Sequence, residues 1–190
     1  MTYDIENIKS ILQSRLNEKR YYHSLCVADA AKELALIYGA DANKAYFAGL
    51  VHDIMRNESE ENMRQYIIDN NIILDEVASN SIVLWHSFLG ADYLTRFFGV
   101  TDADIINAVK YHTVARTNMS LLEKIIFLAD CSSADRNYWN VDEIRAIIRT
   151  DINKAMYQVL DFTVNDLKSK GLPLHPCTLA AYEEYNSFKY

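Results

Sequence analysis

Five histidines stand at positions 23, 52, 86, 112 and 175, and His52 is followed directly by Asp53 inside the apolar run AGLVHDIM (48–55). Imidazoles with carboxylates suit a borderline divalent ion such as iron, manganese, cobalt or zinc better than calcium or magnesium, which prefer oxygen alone. Four of the histidines share helical stripes with apolar residues: His23 with Val27, Ala30 and Leu34, His52 with Ala45, Ala48 and Gly49, His86 with Ile82 and Leu89, and His112 with Ile105, Ala108 and Val109. Asp130 stands four residues after Ile126 and seven after Glu123. Spacings of three, four and seven define the inward face of a helix. A lone histidine on such a face is usually a hydrogen-bonded core residue, Asp53 could cap a neighbouring helix, and Asp130 could pair with a lysine. Five separate polar intrusions into one small core each need a buried partner, however, and a shared cation serves them all. The pattern therefore predicts a divalent metal centre faced by His52 and Asp53.

Other chemistries fail on spacing. The chain has no HExxH helix, no Glu-x-x-His pair of the di-iron bundle type, and no cysteines at finger spacing. It also lacks a P-loop and a glycine-rich dinucleotide turn. Any phosphate would have to be held by side chains, helix ends and metal.

The elements that must position these residues read as helices with short joints. Half of the 190 residues are apolar, with five glycines and two prolines, a composition that fits one all-α domain. Residues 4–17 form a first amphipathic segment, and a second covers 20–38, stopped by Gly39. Asp41 then caps DANKAYFAGLVHDIM (41–55). ESEENMRQYIIDN (58–70) is more polar, and VASNSIVLWHSFLGADYLTRFF (77–98) is a long apolar helix ending at Gly99. Thr101 with Asp104, and Ser120 with Glu123, read as capping boxes. Residues 141–169 form two helices, and Gly171 opens a proline-containing tail.

The net charge of −7 argues against general nucleic-acid binding but leaves room for an anionic small substrate where a metal or arginines reverse the local sign. Cys26, Cys131 and Cys177 are odd in number and widely spaced, as expected of reduced thiols. With no hydrophobic leader and no membrane-length apolar run, the expected location is cytoplasmic.

A lone early histidine, an HD pair one helix later, two further histidines and a late aspartate resemble the HD-domain superfamily of metal-dependent phosphohydrolases. The segments RYYHSLCVADAAKELALIYGAD, AYFAGLVHDIM, AVKYHT, LEKIIFLAD and GLPLHPCTLAAY are similar in order and spacing to YqeK-type symmetrical bis(5'-nucleosyl)-tetraphosphatases over about residues 7–185. The resemblance implies a single HD domain over 1–190, a helical bundle with the metal site in its core. The metal-binding core would cover about 20–135, and the C-terminal helices and nucleotide-lining tail about 141–190. It further implies one or two ions of an iron-type metal on His23, His52, Asp53 and Asp130, with His86 and His112 over a second metal or the substrate phosphate. Asp53, His86 and His112 would be catalytic: Asp53 orients or deprotonates the water, and the two imidazoles stabilise developing charge. Arg20, His23, His86, His112, Thr113, Asp130 and Arg136 would touch the nucleotide diphosphate, with Leu174, His175 and Pro176 along the base. Arg136 reads equally as a solvated helix end, and His175 reads first as a surface tail histidine. Ser87 stands where the family usually has glycine, and VAR (114–116) and CSSADRNYW (131–139) also depart from its pattern.

The implied reaction is hydrolysis of diadenosine tetraphosphate to two ADP, with the dinucleotide or ADP as the small-molecule partner and a homodimer left open. Hydrolysis of another nucleotide, a metal- and ADP-binding sensor without turnover, and an oxygenase on the same scaffold are the alternatives.

Overall fold

The computed structural model describes residues 3–189, and among them the chain is helical throughout, with no strand. The elements are α1 (Ile5–Arg15), α2 (Glu18–Tyr38), α3 (Ala42–Val51), α4 (Glu60–Asn70), α5 (Glu76–Ser79), α6 (Ile82–Phe97), α7 (Ala103–Tyr111), α8 (Leu121–Ser132), α9 (Val141–Ile148), α10 (Ile152–Ser169) and α11 (Pro176–Tyr185), closed by a 3-10 turn at Asn186–Phe188. None of these helices is long and apolar enough to cross a membrane.

Several ends follow from local chemistry. Asn17, Asp41, Ser59 and Asp151 accept hydrogen bonds from amide groups in the first turns of α2, α3, α4 and α10. Gly39 ends α2 in the left-handed region at φ 71°, where a side chain is disfavoured. Ser120 and Glu123 form the expected reciprocal capping box on α8.

The other expected box is different. Asp102, not Thr101, caps α7, accepting from the Asp104 amide, while Asp104 instead takes the Ser120 hydroxyl. The long helix expected over 77–98 is split at Asn80–Ser81 into α5 and α6. Trp85 donates its indole N–H to the Ala78 carbonyl at 2.7 Å, closing this corner. The expected helix over 41–55 ends at Val51. Beyond it, Ile54 N–H bonds to Val51 and Arg56 N–H to Asp53, a tighter turn in which the His52 ring takes the Gly49 carbonyl.

The core is built by α2, α3, α6, α7 and α8. Val27, Phe47, Leu89, Val109 and Ile126, one from each, are fully buried. The α2–α3 approach is the closest: a Cβ on Gly49 would lie 2.9 Å from the Ala28 Cα. A glycine is required there, and the approach brings the rings of His23 and His52 to 5.3 Å between centroids. Helices α9, α10 and α11 pack as a second group, joined to the first mainly through α8.

Candidate metal centre

Each of the five elements in the core brings one polar group inward. His23 comes from the middle of α2, His52 from the end of α3, His86 from α6, His112 from the end of α7, and Asp130 from α8; Asp53 follows His52 in the turn. All four imidazoles and Asp53 are buried.

Three of the imidazoles are held in one way. The Nδ1–H of His52 donates to Gly49 O at 2.7 Å, that of His86 to Val83 O at 2.8 Å, and that of His112 to Val109 O at 2.7 Å. A carbonyl only accepts, so the proton of each neutral ring belongs on Nδ1 and the Nε2 lone pair points to the centre. His52 Nε2 is buried without any hydrogen-bond partner. The Nε2 atoms of His86 and His112 face each other at 3.3 Å, an arrangement of two lone pairs that needs a shared proton or cation between or beside them.

Asp53 stands between two groups of imidazoles. Its Oδ2 lies 3.4 Å from His52 Nε2 and 4.0 Å from His23 Nε2, while its Oδ1 lies 3.2 Å from His86 Nε2 and 3.6 Å from His112 Nε2. Asp130 Oδ1 completes the first group, 2.9 Å from His23 Nε2 and 3.9 Å from His52 Nε2. Donor atoms from His23, His52 and Asp130 lie within 4.8 Å of one another, as do those from His52, Asp53 and His112. Ligand atoms at about 2.1 Å from one ion are separated by about 3–4 Å, so either set could close on a divalent cation with small side-chain movements.

The electrostatics agree. Burial works to raise the Asp53 carboxyl, but His52, His112 and His86 outweigh it and hold the group well below its ordinary value. Asp130 is likewise lowered against its burial, by His23, His52 and Arg136. Burial takes His86 down to about 4, with the Asp53 carboxylate opposing. His52 goes the other way: burial disfavours its cationic form, yet Asp53 and Asp130 raise it. Ionised carboxylates among imidazoles, with His52 Nε2 left without a partner, form a donor set suited to a divalent cation.

Two guanidiniums guard the more open side. Arg20 Nη1 donates to Asp53 Oδ2 at 2.7 Å. Arg136 binds Asp130 through both its carboxylate and its carbonyl, with Nη2 at 3.3 Å from His23 Nε2. Arg136 is thus turned into the centre and is no solvated helix end. Thr113 and Ser87 share a hydrogen bond at 3.0 Å next to His112 and His86, which gives the serine in the family's glycine position a partner.

The tail holds a correction. His175 is buried, not a surface histidine: it caps α11, with Nδ1 accepting from Cys177 N–H at 3.1 Å and Nε2 donating to Asp75 Oδ2 at 2.8 Å. Leu174 beside it is half-buried and Pro176 exposed. Sequence reasoning also missed Asp135, whose Oδ2 lies 2.8 Å from His23 Nδ1. The only local signal was its place five residues after Asp130, in the stretch that departs from the family pattern.

Comparison with known proteins agrees with this arrangement. The HD domain family matches residues 20–135, a span that runs from Arg20 to Asp135 and holds all six inward groups. The chain is 36% identical over 174 residues to the symmetrical bis(5'-nucleosyl)-tetraphosphatase of Halalkalibacterium halodurans, covering 92% of each protein. It is 37% identical over 177 residues to the protein of that name from Bacillus subtilis, covering 93% of this chain and 95% of the relative. A crystal structure from Clostridium acetobutylicum, described as a predicted HD superfamily hydrolase involved in NAD metabolism, superposes with a TM-score of 0.93 at 36% identity over the whole of both chains. Five helices converging imidazoles and carboxylates in this order, and these likenesses over nearly the full length, lead to one conclusion: the chain belongs to the HD-domain family, on the branch whose curated members are named symmetrical bis(5'-nucleosyl)-tetraphosphatase.

Proposed function

We propose that the protein hydrolyses diadenosine tetraphosphate at the middle of its phosphate bridge, water and the dinucleotide giving two molecules of ADP. The observation that carries this reading is the Asp53 carboxylate, shared between His23 and His52 on one oxygen and His86 and His112 on the other, with Arg20 and Arg136 beside it. The names of the relatives that match over more than nine-tenths of the chain support it.

His23, His52, Asp53 and Asp130 would hold a divalent metal, iron in our reading, with His86 and His112 facing a second ion or the phosphate. The bound metal supplies water of lowered pKa and neutralises charge on the phosphoryl oxygens. The chain supplies the rest. Asp53, itself one of the metal-holding groups, would orient the attacking water or take its proton. His86 and His112, tethered through Nδ1 to backbone carbonyls, keep their Nε2 lone pairs turned inward, where they would hold a second divalent ion beside the phosphoryl group and through it stabilise the charge that builds up. Arg20 and Arg136 are the partly exposed members of the centre, and their guanidiniums can turn from the carboxylates to phosphate oxygens. ADP leaves without needing a dedicated acid.

Residues of about 20–135 act as the metal-holding core, and about 141–190 supply the C-terminal helices and the tail that lines the nucleotide. Leu174 and Pro176 flank the base, Thr113 meets the diphosphate, and His175 holds the tail in place through Asp75. Three free cysteines suit a cytoplasmic enzyme.

The test is to run anaerobically prepared, metal-analysed protein with diadenosine tetraphosphate in oxygen-18 water and to identify products by mass. ADP alone, one product molecule of each pair labelled, is expected. ATP with AMP would refute the symmetric cut, and no cleavage with any divalent metal would leave a nucleotide sensor as the better account.

A further inference from the structure

His23 is held unlike the other three imidazoles of the centre. It lies within α2, and its Nδ1 reaches no carbonyl of its own helix; it meets the carboxylate of Asp135, 112 residues away, at 2.8 Å. The second oxygen of Asp135 accepts the hydroxyl of Ser133 at 2.7 Å. Ser133 is fully buried, and its amide ends α8 by bonding to Ala129 O. The loop that carries both residues is fastened by Arg136 on Asp130 O, by Tyr138 on Cys131 O and, at most points, by Arg145. Arg145 of α9 donates to Ser132 O at 2.9 Å, Ser133 O at 2.8 Å and Arg136 O at 2.9 Å.

The chain Arg145–loop–Ser133–Asp135–His23 thus ends on one inward imidazole. An anion at Nδ1 keeps the proton on that nitrogen, fixes the plane of the ring, and makes Nε2 a stronger electron-pair donor than a carbonyl partner would. Nε2 then faces Asp130 Oδ1 at 2.9 Å and Asp53 Oδ2 at 4.0 Å. The three rings bonded to carbonyls are positioned by their own helices, so only His23 depends on a distant segment for its orientation.

We infer that Asp135 is a positioning residue of the metal centre: supported by Ser133, it sets the tautomer and plane of His23 so that Nε2 is presented, with His52 and Asp130, to a divalent cation. This rests on the metal-dependent reading above. It also gives the divergent CSSADR stretch (131–136) a role, since that segment supplies the aspartate, the serine that steadies it and the arginine on Asp130.

The experiment titrates metal-stripped protein with cobalt(II) against a chelating dye, and records the visible cobalt spectrum, for the wild type and for Asp135→Ala, Asp135→Asn and Ser133→Ala. The Ala variant should bind cobalt about 10–100-fold more weakly. Asp135→Asn, which keeps an acceptor for Nδ1 but no charge, should fall between it and wild type with an altered spectrum, and it stands as the decisive variant should the alanine form not fold. Ser133→Ala should lose less than Asp135→Ala. Wild-type affinity and spectrum in a folded Asp135→Ala or Asp135→Asn protein, even with a lowered Tm, would overturn the proposal and leave Asp135 a structural ion-pair partner. A wild-type chain that takes up no cobalt would sink this inference together with the metal reading. Because the readout is affinity, a chain that binds cobalt but cleaves nothing would sink the hydrolase reading alone, and the variant-to-wild-type ratio still decides Asp135.

Discussion

At the start of α11, His175 uses both ring nitrogens within the protein: Nε2 donates to Asp75 and Nδ1 accepts from the Cys177 amide. In the core, His52 is buried as deeply, but it has the opposite tautomer, with Nδ1 donating to Gly49 O and Nε2 left without a partner. Both histidines are covered by the fold, and burial by itself does not separate them. What separates them is how many of their hydrogen-bonding atoms the protein satisfies. His175, with both nitrogens committed to one amide and one carboxylate, is a structural clamp; His52, with an orphaned nitrogen facing two carboxylates, is a ligand in waiting.

The strongest test of this contrast removes the unsatisfied side. His52→Ala or Asp53→Ala should strip the divalent metal and abolish hydrolysis while the far-ultraviolet circular dichroism stays helical. Full metal content and full rate in either variant would break the comparison at its root.

A milder change keeps the metal and weakens the substrate. Arg20→Ala should raise KM and cost about 1.5–3 kcal/mol in kcat/KM, the range of a charge-assisted hydrogen bond, with metal content unchanged because a guanidinium is no ligand. Metal loss with unchanged KM would make Arg20 a structural partner of Asp53.

On the satisfied side, His175→Ala should act on stability and not on metal. Loss of the α11 cap should cost about 1–2 kcal/mol in thermal or denaturant unfolding, with metal stoichiometry as in the wild type. Metal loss on that substitution would merge the two regions that the geometry separates.

The smallest effect concerns its partner. Burial raises the Asp75 carboxyl, but the Ala78 amide and the His175 ring outweigh it and hold it below its ordinary value. A carboxyl lowered in the folded state contributes stability at pH values above its unfolded value, about 3.9, and loses it as pH falls through the folded one. Asp75→Asn should therefore flatten part of the stability loss between about pH 4 and the folded value, and should change nothing at pH 7 in metal content. An unchanged acid limb would show that the Asp75–His175 contact carries no pH-dependent stability.

The inward faces are legible in the sequence because helical spacing is local. His23 with Val27, or His112 with Val109, is a relation within two turns, and short-range sterics and burial alone impose it. The same holds for the Gly39 stop and the Ser120–Glu123 box. Tertiary packing decided what lies between elements. It did not end α3 at Val51 or split 77–98: those breaks go with side-chain contacts three and seven residues apart, the His52 ring on the Gly49 carbonyl and the Trp85 indole on the Ala78 carbonyl. It turned Arg136 onto Asp130, buried His175 against Asp75 and brought Asp135 to His23 across 112 residues. The sequence by itself determined an all-helical chain with imidazoles and carboxylates on its buried stripes. Only the tertiary structure decided which nitrogens found partners and which were left facing one another, because a hydrogen bond between distant segments depends on ångström-scale distances that no periodicity encodes.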